Sequence, residues 1–336
     1  MSRRGISKIN DEKIDVILRP KTWESYVGQE RIKKSLRMML TAAKKRNEPS
    51  DHLLFCGQAG LGKTTLATLA AREMNAGLKI INGPTVEKTG DLVAILSNLE
   101  SGDIIFIDEA HRLPSQVEEV LYPAMEERKA HIIIGKGPGS RILSLDLPPF
   151  TLIAATTRTS LLSSALRSRF GATFRLEYYE LDEIEEIIRR SAEILGVKIE
   201  PEAASVIAKT SRFTPRIANR LLKRTRDYAQ VKNSPILTEP LATEALSLLG
   251  IDEQGLDATD RKILDVISKN FNGGPVGLKS IAAAIAEEEE TIEDVYEPYL
   301  MQIGFLARTS RGRMLTDLAV KHLGLAQNKN GQGSLI

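Results

Sequence analysis

Gly57-Gln-Ala-Gly-Leu-Gly-Lys-Thr64 has the spacing G-x4-G-K-[ST], with the apolar run Leu53 to Cys56 before it and the helical stretch Thr65 to Glu73 after it. Gly57, Gly60 and Gly62 let the backbone curl so that the N–H groups around Leu61 point inward, at a helix start that itself favours an anion. Lys63 then reaches outer phosphates, and the Thr64 hydroxyl can ligate magnesium, with Thr65 beside it. Further on, Ile104-Ile-Phe-Ile-Asp-Glu109 runs four apolar residues into two carboxylates at a strand end. Neighbouring side chains on a strand diverge. Asp108 can therefore hold magnesium through water while Glu109 polarises an attacking water, a division of labour suited to phosphoanhydride hydrolysis. Thr214-Pro-Arg216 reads as a helix start: Thr214 caps, Pro215 fits the first helical position and Arg216 projects from the first turn. A cation there opposes the helix dipole, which implies an anionic ligand.

Two tempting motifs carry less. Asp108-Glu-Ala-His111 spells a helicase signature, yet no second sheet domain with an arginine-rich motif follows it, so the letters read as the end of a strand. Gly135-Lys-Gly-Pro-Gly139 misses the spacing G-x-G-x-x-G and reads as a hairpin tip.

These residues need a scaffold, and the composition allows one. The 336 residues are 42% apolar and 27% charged, which fits an ordinary globular chain and excludes disorder over most of its length. The single Cys56 cannot close an intrachain disulfide, and the four histidines make no metal-ligand spacing, so a reducing cytoplasm fits and a structural zinc site does not. No run approaches the ~18 apolar residues of a membrane span, and Met1-Ser-Arg-Arg-Gly-Ile-Ser7 lacks the apolar core of a signal peptide. A cytoplasmic protein without membrane contact is expected. With 46 basic against 44 acidic residues, any nucleic-acid contact must come from a local patch.

Between residues 20 and 175 the apolar runs Leu53 to Cys56, Ile104 to Ile107, Ile132 to Ile134 and Thr151 to Ala155 alternate with helix-length segments, as in a parallel sheet flanked by helices. Leu181, Ile184, Ile187, Ile188, Ala192 and Leu195 then form a helical stripe stopped by Gly196. Gly250 to Leu256 looks like a linker. Beyond it a helix (Leu278 to Ile285), a second helix opening with the capping box Thr291-Ile-Glu-Asp294, a strand (Gly304 to Thr309), a basic turn and another strand predict a winged helix. Arg308, Arg311 and Arg313 lie within six residues with no acid between them, so such a wing can hold phosphates without reading bases. His131 to Leu145 reads as a β-hairpin presenting Ile142, Leu143 and Leu145 outward. The tail Gln327 to Ser334 reads as frayed.

Taken in order, Arg19-Pro20, Tyr26-Val-Gly-Gln29, the phosphate loop, Asp108-Glu109, Ala155-Thr-Thr-Arg158, Leu166-Arg-Ser-Arg-Phe170 and Thr214-Pro-Arg216 resemble an AAA+ ATPase. More narrowly, the chain from about residue 12 to 325 resembles the RuvB family of Holliday-junction branch-migration motors. Segments such as Glu119-Val-Leu-Tyr-Pro-Ala-Met-Glu126, Gly273-Gly-Pro-Val-Gly277 and Arg308-Thr-Ser-Arg-Gly-Arg-Met314 extend the likeness. The resemblance implies an α/β P-loop AAA+ domain with a parallel sheet (1–180, with a partner-binding hairpin near 131–146), a helical lid domain (181–252), a winged-helix DNA-binding domain (253–325) and a flexible tail (326–336).

It also implies roles. Leu18, Arg19, Tyr26 and Val27 would surround the adenine and ribose, with Tyr179 at the hinge beside the base. Thr157, or failing it Thr156, would be the first sensor and Arg216 the second, next to Pro215. Arg169, in preference to Arg167, would be an arginine finger reaching a neighbour's ATP. The implied cofactors are ATP/ADP and Mg2+. The implied partners are the duplex arms of four-way junctions, a RuvA-type protein docked on the hairpin, a junction resolvase and five further copies in a homohexameric ring, working in recombination, repair and the response to DNA damage. Gln58-Ala59 stands where the family commonly has Pro-Pro, and the acidic run Glu287 to Glu290 would repel a backbone phosphate, leaving the wing the larger share of DNA contact. Three other readings share parts of this pattern: an origin-binding initiator with a preferred duplex sequence, a winged-helix regulator with a silent nucleotide site, and a clamp loader, which would end in a helical collar.

Overall fold

The computed structural model describes residues 11–134 and 141–324. Gly135 to Gly139, the expected hairpin tip, and the tail 326–336 lie outside the described residues. The chain divides into two compact units: one runs to Leu195 and takes in Thr214–Asn219, the other comprises Gly196–Phe213 and the chain from Arg220 onward.

In the first unit the strands are β1 (Leu53–Cys56), β2 (Leu78–Asn82), β3 (Ile104–Asp108), β4 (Lys129–Ile134), β5 (Arg141–Asp146), β6 (Thr151–Thr156) and β7 (Ala172–Arg175). Five of them pair in parallel in the order β2-β3-β6-β1-β7. A parallel sheet is covered on both faces, and β1, β3 and β6 are accordingly buried almost throughout. Alternation sends Leu54, Ile105, Ile107, Leu152 and Ala154 into one cluster with Leu92 and Leu96 of the helix Thr89–Ser97 and Val117 and Leu121 of the helix Ser115–Glu126.

Two strands left no apolar run to read. β2 and β7 are the sheet's edges, and each buries a single side chain, Ile81 and Phe174. Conversely, Ile132 to Ile134 does not join the parallel sheet. It belongs to β4, which pairs antiparallel with β5 alone.

In the second unit the helices Pro201–Lys209 and Glu239–Leu248 bury Ala203, Ile207, Ala242 and Leu246. After them come the helices Ala258–Phe271 and Leu278–Ile285, a helical stretch from Glu289 to Gln302, and the antiparallel pair β8 (Leu306–Thr309) and β9 (Gly312–Leu315). Ile263, Leu264, Ile281, Ile285, Leu300 and Leu315 share one core.

Two expectations need correction. Thr291 is already helical, at φ −62°, and caps nothing; the helix starts at Glu289 after an extended Glu288, because the acids in its first turn complement the helix dipole. Gly250 to Leu256 is no free linker. Asp252 Oδ1 accepts the N–H groups of Gln254 and Leu256 at 2.9 and 2.8 Å, and Leu256 is fully buried.

Behind that turn Arg212 is a buried hub. Its guanidinium donates to the Gly255 carbonyl at 3.1 Å, to Asp257 at 3.0 Å and to Asp260, and stacks 5.2 Å from the Tyr299 ring centre. Asp257 caps the helix Ala258–Phe271, and Asp260 closes the capping box. Burial of Asp260 outweighs the attraction of Arg212 and pushes its carboxyl from 3.8 up to about 7. The folded chain then holds this proton more tightly than the unfolded one, so the contribution of Asp260 falls as pH rises from about 4 to about 7 and is level above that. Thermal melts of the full chain should show the second unit's transition falling between about pH 4 and pH 7, with Asp260→Asn flattening that slope.

Candidate active site

The sheet order brings three strand ends together: β1 lies beside β6, and β6 beside β3. β1 runs into the loop Gly57 to Gly62, and the helix Lys63–Met74 starts directly behind it. Gly60 (φ +84°) and Gly62 (φ +101°) adopt backbone conformations that side chains resist. A Cβ on Gly60 would lie 2.9 Å from Arg216 Cβ, and one on Gly62 2.5 Å from Tyr26 Oη. The loop is thus pressed between two residues that the sequence reading assigned to the same ligand.

Lys63 is buried, and its ammonium donates to the carbonyls of Gly57 and Gln58 at 2.7 and 2.9 Å. Burial lowers its pKa, Asp108 and Glu109 oppose that shift, and Arg216 adds to it. An entering phosphate offers this cation a charged acceptor in place of two neutral ones. The Thr64 hydroxyl lies 3.4 Å from Asp108 Oδ2, and Asp108 Oδ1 accepts the Glu109 N–H at 3.1 Å. Among the described residues no three His, Cys, Asp or Glu side chains gather as a metal site. The oxygen pair of Thr64 and Asp108 suits a magnesium ion that takes its remaining ligands from phosphate and water.

Glu109 sits in the left-handed region at φ 49°. Its Oε2 accepts from the Thr157 hydroxyl at 3.3 Å and lies 3.4 Å from His111 Nδ1. Thr156 is fully buried, with its hydroxyl 3.0 Å from His111 Nδ1 and accepting the Arg158 N–H. Of the two candidate sensors, Thr157 is the one that touches Glu109.

The cleft in front of the loop is open to solvent at its mouth and holds roughly 200 Å3 of free space. It gathers Leu18, Arg19, Tyr26, Val27, Gly60, Gly62, Lys63, Thr64, Thr65, Asp108, Glu109, Tyr179, Pro215 and Arg216. Gly57 and Leu61, of the same loop, are not among the lining residues. The phenols of Tyr26 and Tyr179 both donate to the Leu61 carbonyl, at 3.3 and 3.2 Å. Burial raises the pKa of both, which keeps them protonated donors. Pro215 opens its helix as expected, and the Thr214 carbonyl accepts the Ala218 N–H at 3.0 Å.

Sequence reasoning missed Asp15, Pro20, Ala59, Ile187, Arg190 and Asn219, which also line the cleft. Asn219 follows Arg216 by three residues, as Arg190 follows Ile187, so helical spacing held that signal. Arg190 donates to the carbonyls of Leu18, at 3.1 Å, and Ser25, pinning the segment that carries Arg19 and Tyr26.

Arg169 is not among the residues lining this cleft. Its guanidinium lies over the Tyr122 ring, 4.4 Å from the centroid, with Nε 3.2 Å from Glu126 Oε1.

Two surface expectations change. Leu145 is half-buried against the core, because it pairs with buried Ala130; Ile142 (71% exposed) and Leu143 (44%), farther from Ala130 along the same strand, are exposed. Arg313 is not a free wing cation. It faces Arg308 directly across β8 and β9, and such like-charged pairs need compensation. Glu297, 3% exposed, takes Arg313 at 2.9 Å, and Glu293 takes Arg308 at 3.3 Å. Arg308 and Arg311 remain exposed.

With this geometry in view, the likeness to known proteins has a physical basis. The family model described as "Holliday junction DNA helicase RuvB P-loop domain" matches residues 18–176, the RuvB AAA lid domain residues 179–252, and the RuvB C-terminal winged helix domain residues 253–324. A solved structure of Thermotoga maritima RuvB, described as a Holliday junction branch migration motor, is 48% identical over 92% of this chain and 99% of its own, with a TM-score of 0.86. A point variant of that protein matches at 48% identity over 92% and 99%, with a TM-score of 0.85. This chain belongs to the RuvB family.

Its fold is therefore a P-loop AAA+ domain, a AAA lid and a winged helix, and RuvB membership makes it a nucleotide-binding protein of a branch-migration motor family. No helix among the described residues is long and apolar enough to cross a membrane.

Arg190→Ala should free the strap from Leu18 to Ser25. Charged donors to carbonyls contribute about 1.5–3 kcal/mol each, part of which survives in solvent. The expected result is roughly tenfold weaker binding of a fluorescent ATP analogue, with the melting temperature lowered by a few degrees.

Proposed function

We propose that this protein hydrolyses ATP in the cleft between Arg19, Lys63 and Arg216, and uses that energy to drive branch migration of four-way DNA junctions. The supporting observation is the convergence of Lys63, Thr64, Asp108, Glu109 and Arg216 on one cleft in a chain 48% identical to a branch migration motor.

Each group has a defined task. The loop amides, Lys63 and Arg216 hold the phosphates. Tyr26, Val27, Leu18 and Tyr179 enclose the base end. Glu109, steered by Thr157, accepts a proton from the attacking water. Magnesium held by Thr64, and by Asp108 through water, would neutralise phosphate charge. Arg169 completes the cleft of an adjacent subunit in a homohexamer, which fits its absence from the cleft of its own chain.

Domain boundaries at 180/181 and 252/253 put Arg216 on the lid and Lys63, Thr64, Asp108 and Glu109 on the AAA+ domain, with the winged helix following. Arg308 and Arg311 grip duplex phosphates without reading sequence. Ile142 and Leu143 dock a RuvA-type protein, with a resolvase joining the same junction during recombination and repair of damaged DNA in the cytoplasm.

Lys63→Ala and Arg169→Ala should each abolish hydrolysis. Mixed together they should regain a measurable fraction of it, because the nucleotide site of an Arg169→Ala subunit meets the intact Arg169 of a Lys63→Ala neighbour. A steady-state phosphate-release assay reads this directly. A mixture that stays inactive would show that Arg169 does not act across subunits.

A further inference from the structure

The helix Ser115–Glu126 carries Glu118, Tyr122 and Glu126 at spacings of four, on one face beneath Arg169. Buried Glu118 accepts from the Tyr122 hydroxyl at 2.9 Å and from the Ser163 hydroxyl. Ser163 lies 3.1 Å from Tyr122 Oη and caps the short helix Ser164–Arg167 through the Leu166 N–H at 3.0 Å. The ring of Tyr122 is thereby fixed to the segment that presents Arg169. Above the ring, the guanidinium donates to the Ala165 carbonyl at 2.5 Å and pairs with Glu126, whose side chain is 55% exposed.

We infer that Tyr122 is a positioning residue for Arg169: its locked ring face sets the plane of the guanidinium, and Glu126 holds the cation until a phosphate competes for it. The inference rests on the reading of Arg169 as a finger acting on a neighbouring subunit's nucleotide. A flexible arginine at a surface would have to be ordered at each turnover, and a stacked one is ordered beforehand. A guanidinium over an aromatic face still presents its N–H groups at the edges of its own plane, where an anion can reach them. Glu126 is the exchangeable partner because an exposed ion pair holds weakly against a polyphosphate.

The test places Tyr122→Leu on one side of the shared site at a time. In one mixture the Lys63→Ala subunit, which donates Arg169, also carries Tyr122→Leu. In the other the Arg169→Ala subunit, which holds the nucleotide, carries it. Regained ATP hydrolysis should fall about tenfold in the first mixture, the worth of a partly desolvated stack, and by less than about twofold in the second. Tyr122→Phe in the donor should keep most of the activity, since the ring face remains. Equal loss in both mixtures would reduce Tyr122 to a general fold contact, and no loss in either would remove it from the reaction; each result overturns the inference. Absence of activity in the parent mixture, without any change at Tyr122, would instead strike the reading of Arg169, and the inference would fall with it.

Discussion

A buried cation facing two carboxylates organises the first unit. Lys63 is buried, is held by two carbonyls of its own loop, and faces Asp108 and Glu109 at the end of the next strand but one, whose charges oppose the fall in its pKa that burial brings. An ammonium so placed is tolerable only if the loop, the helix start and the carboxylates are all fixed about it. The parallel sheet does that fixing: β1 sets the loop, β3 the carboxylates, and β6 between them the threonines. Apolar burial along these three strands is thus the indirect source of the polar geometry at their ends.

Much of this was legible because it depends on local chemistry. Glycines at fixed offsets before Lys63, carboxylates after four apolar residues, and a proline before Arg216 each announce a backbone shape as well as a function. Elements defined by non-local partners were harder to read. β2 and β7 bury one side chain each and exist because a neighbouring strand offers them hydrogen bonds. Arg190 and Asn219 were visible only as members of helical faces, and nothing in the sequence said which face met the cleft.

The wing shows why a count of charges misleads. Three arginines without an intervening acid looked like one phosphate-binding edge, yet two of them oppose each other across the hairpin and are met by Glu293 and Glu297 from a preceding helix. Cross-strand register decides which charges reach solvent, and register is a property of the fold. In the hairpin of the first unit Leu143 and Leu145 share a face, yet only Leu145, opposite Ala130, packs on the core. In the second unit, Arg212 joins the chain before Pro215 to the start of the helix Ala258–Phe271 through Asp257 and Asp260.

Whether hydrolysis in this cleft moves DNA is read from the dissociation of a synthetic four-way junction. With ATP and a RuvA-type partner the junction should separate into two duplexes, and with ADP or without the partner it should stay whole. Vigorous ATP hydrolysis that leaves the junction intact in the partner's presence would contradict the account, and would favour an initiator that binds duplex DNA by sequence.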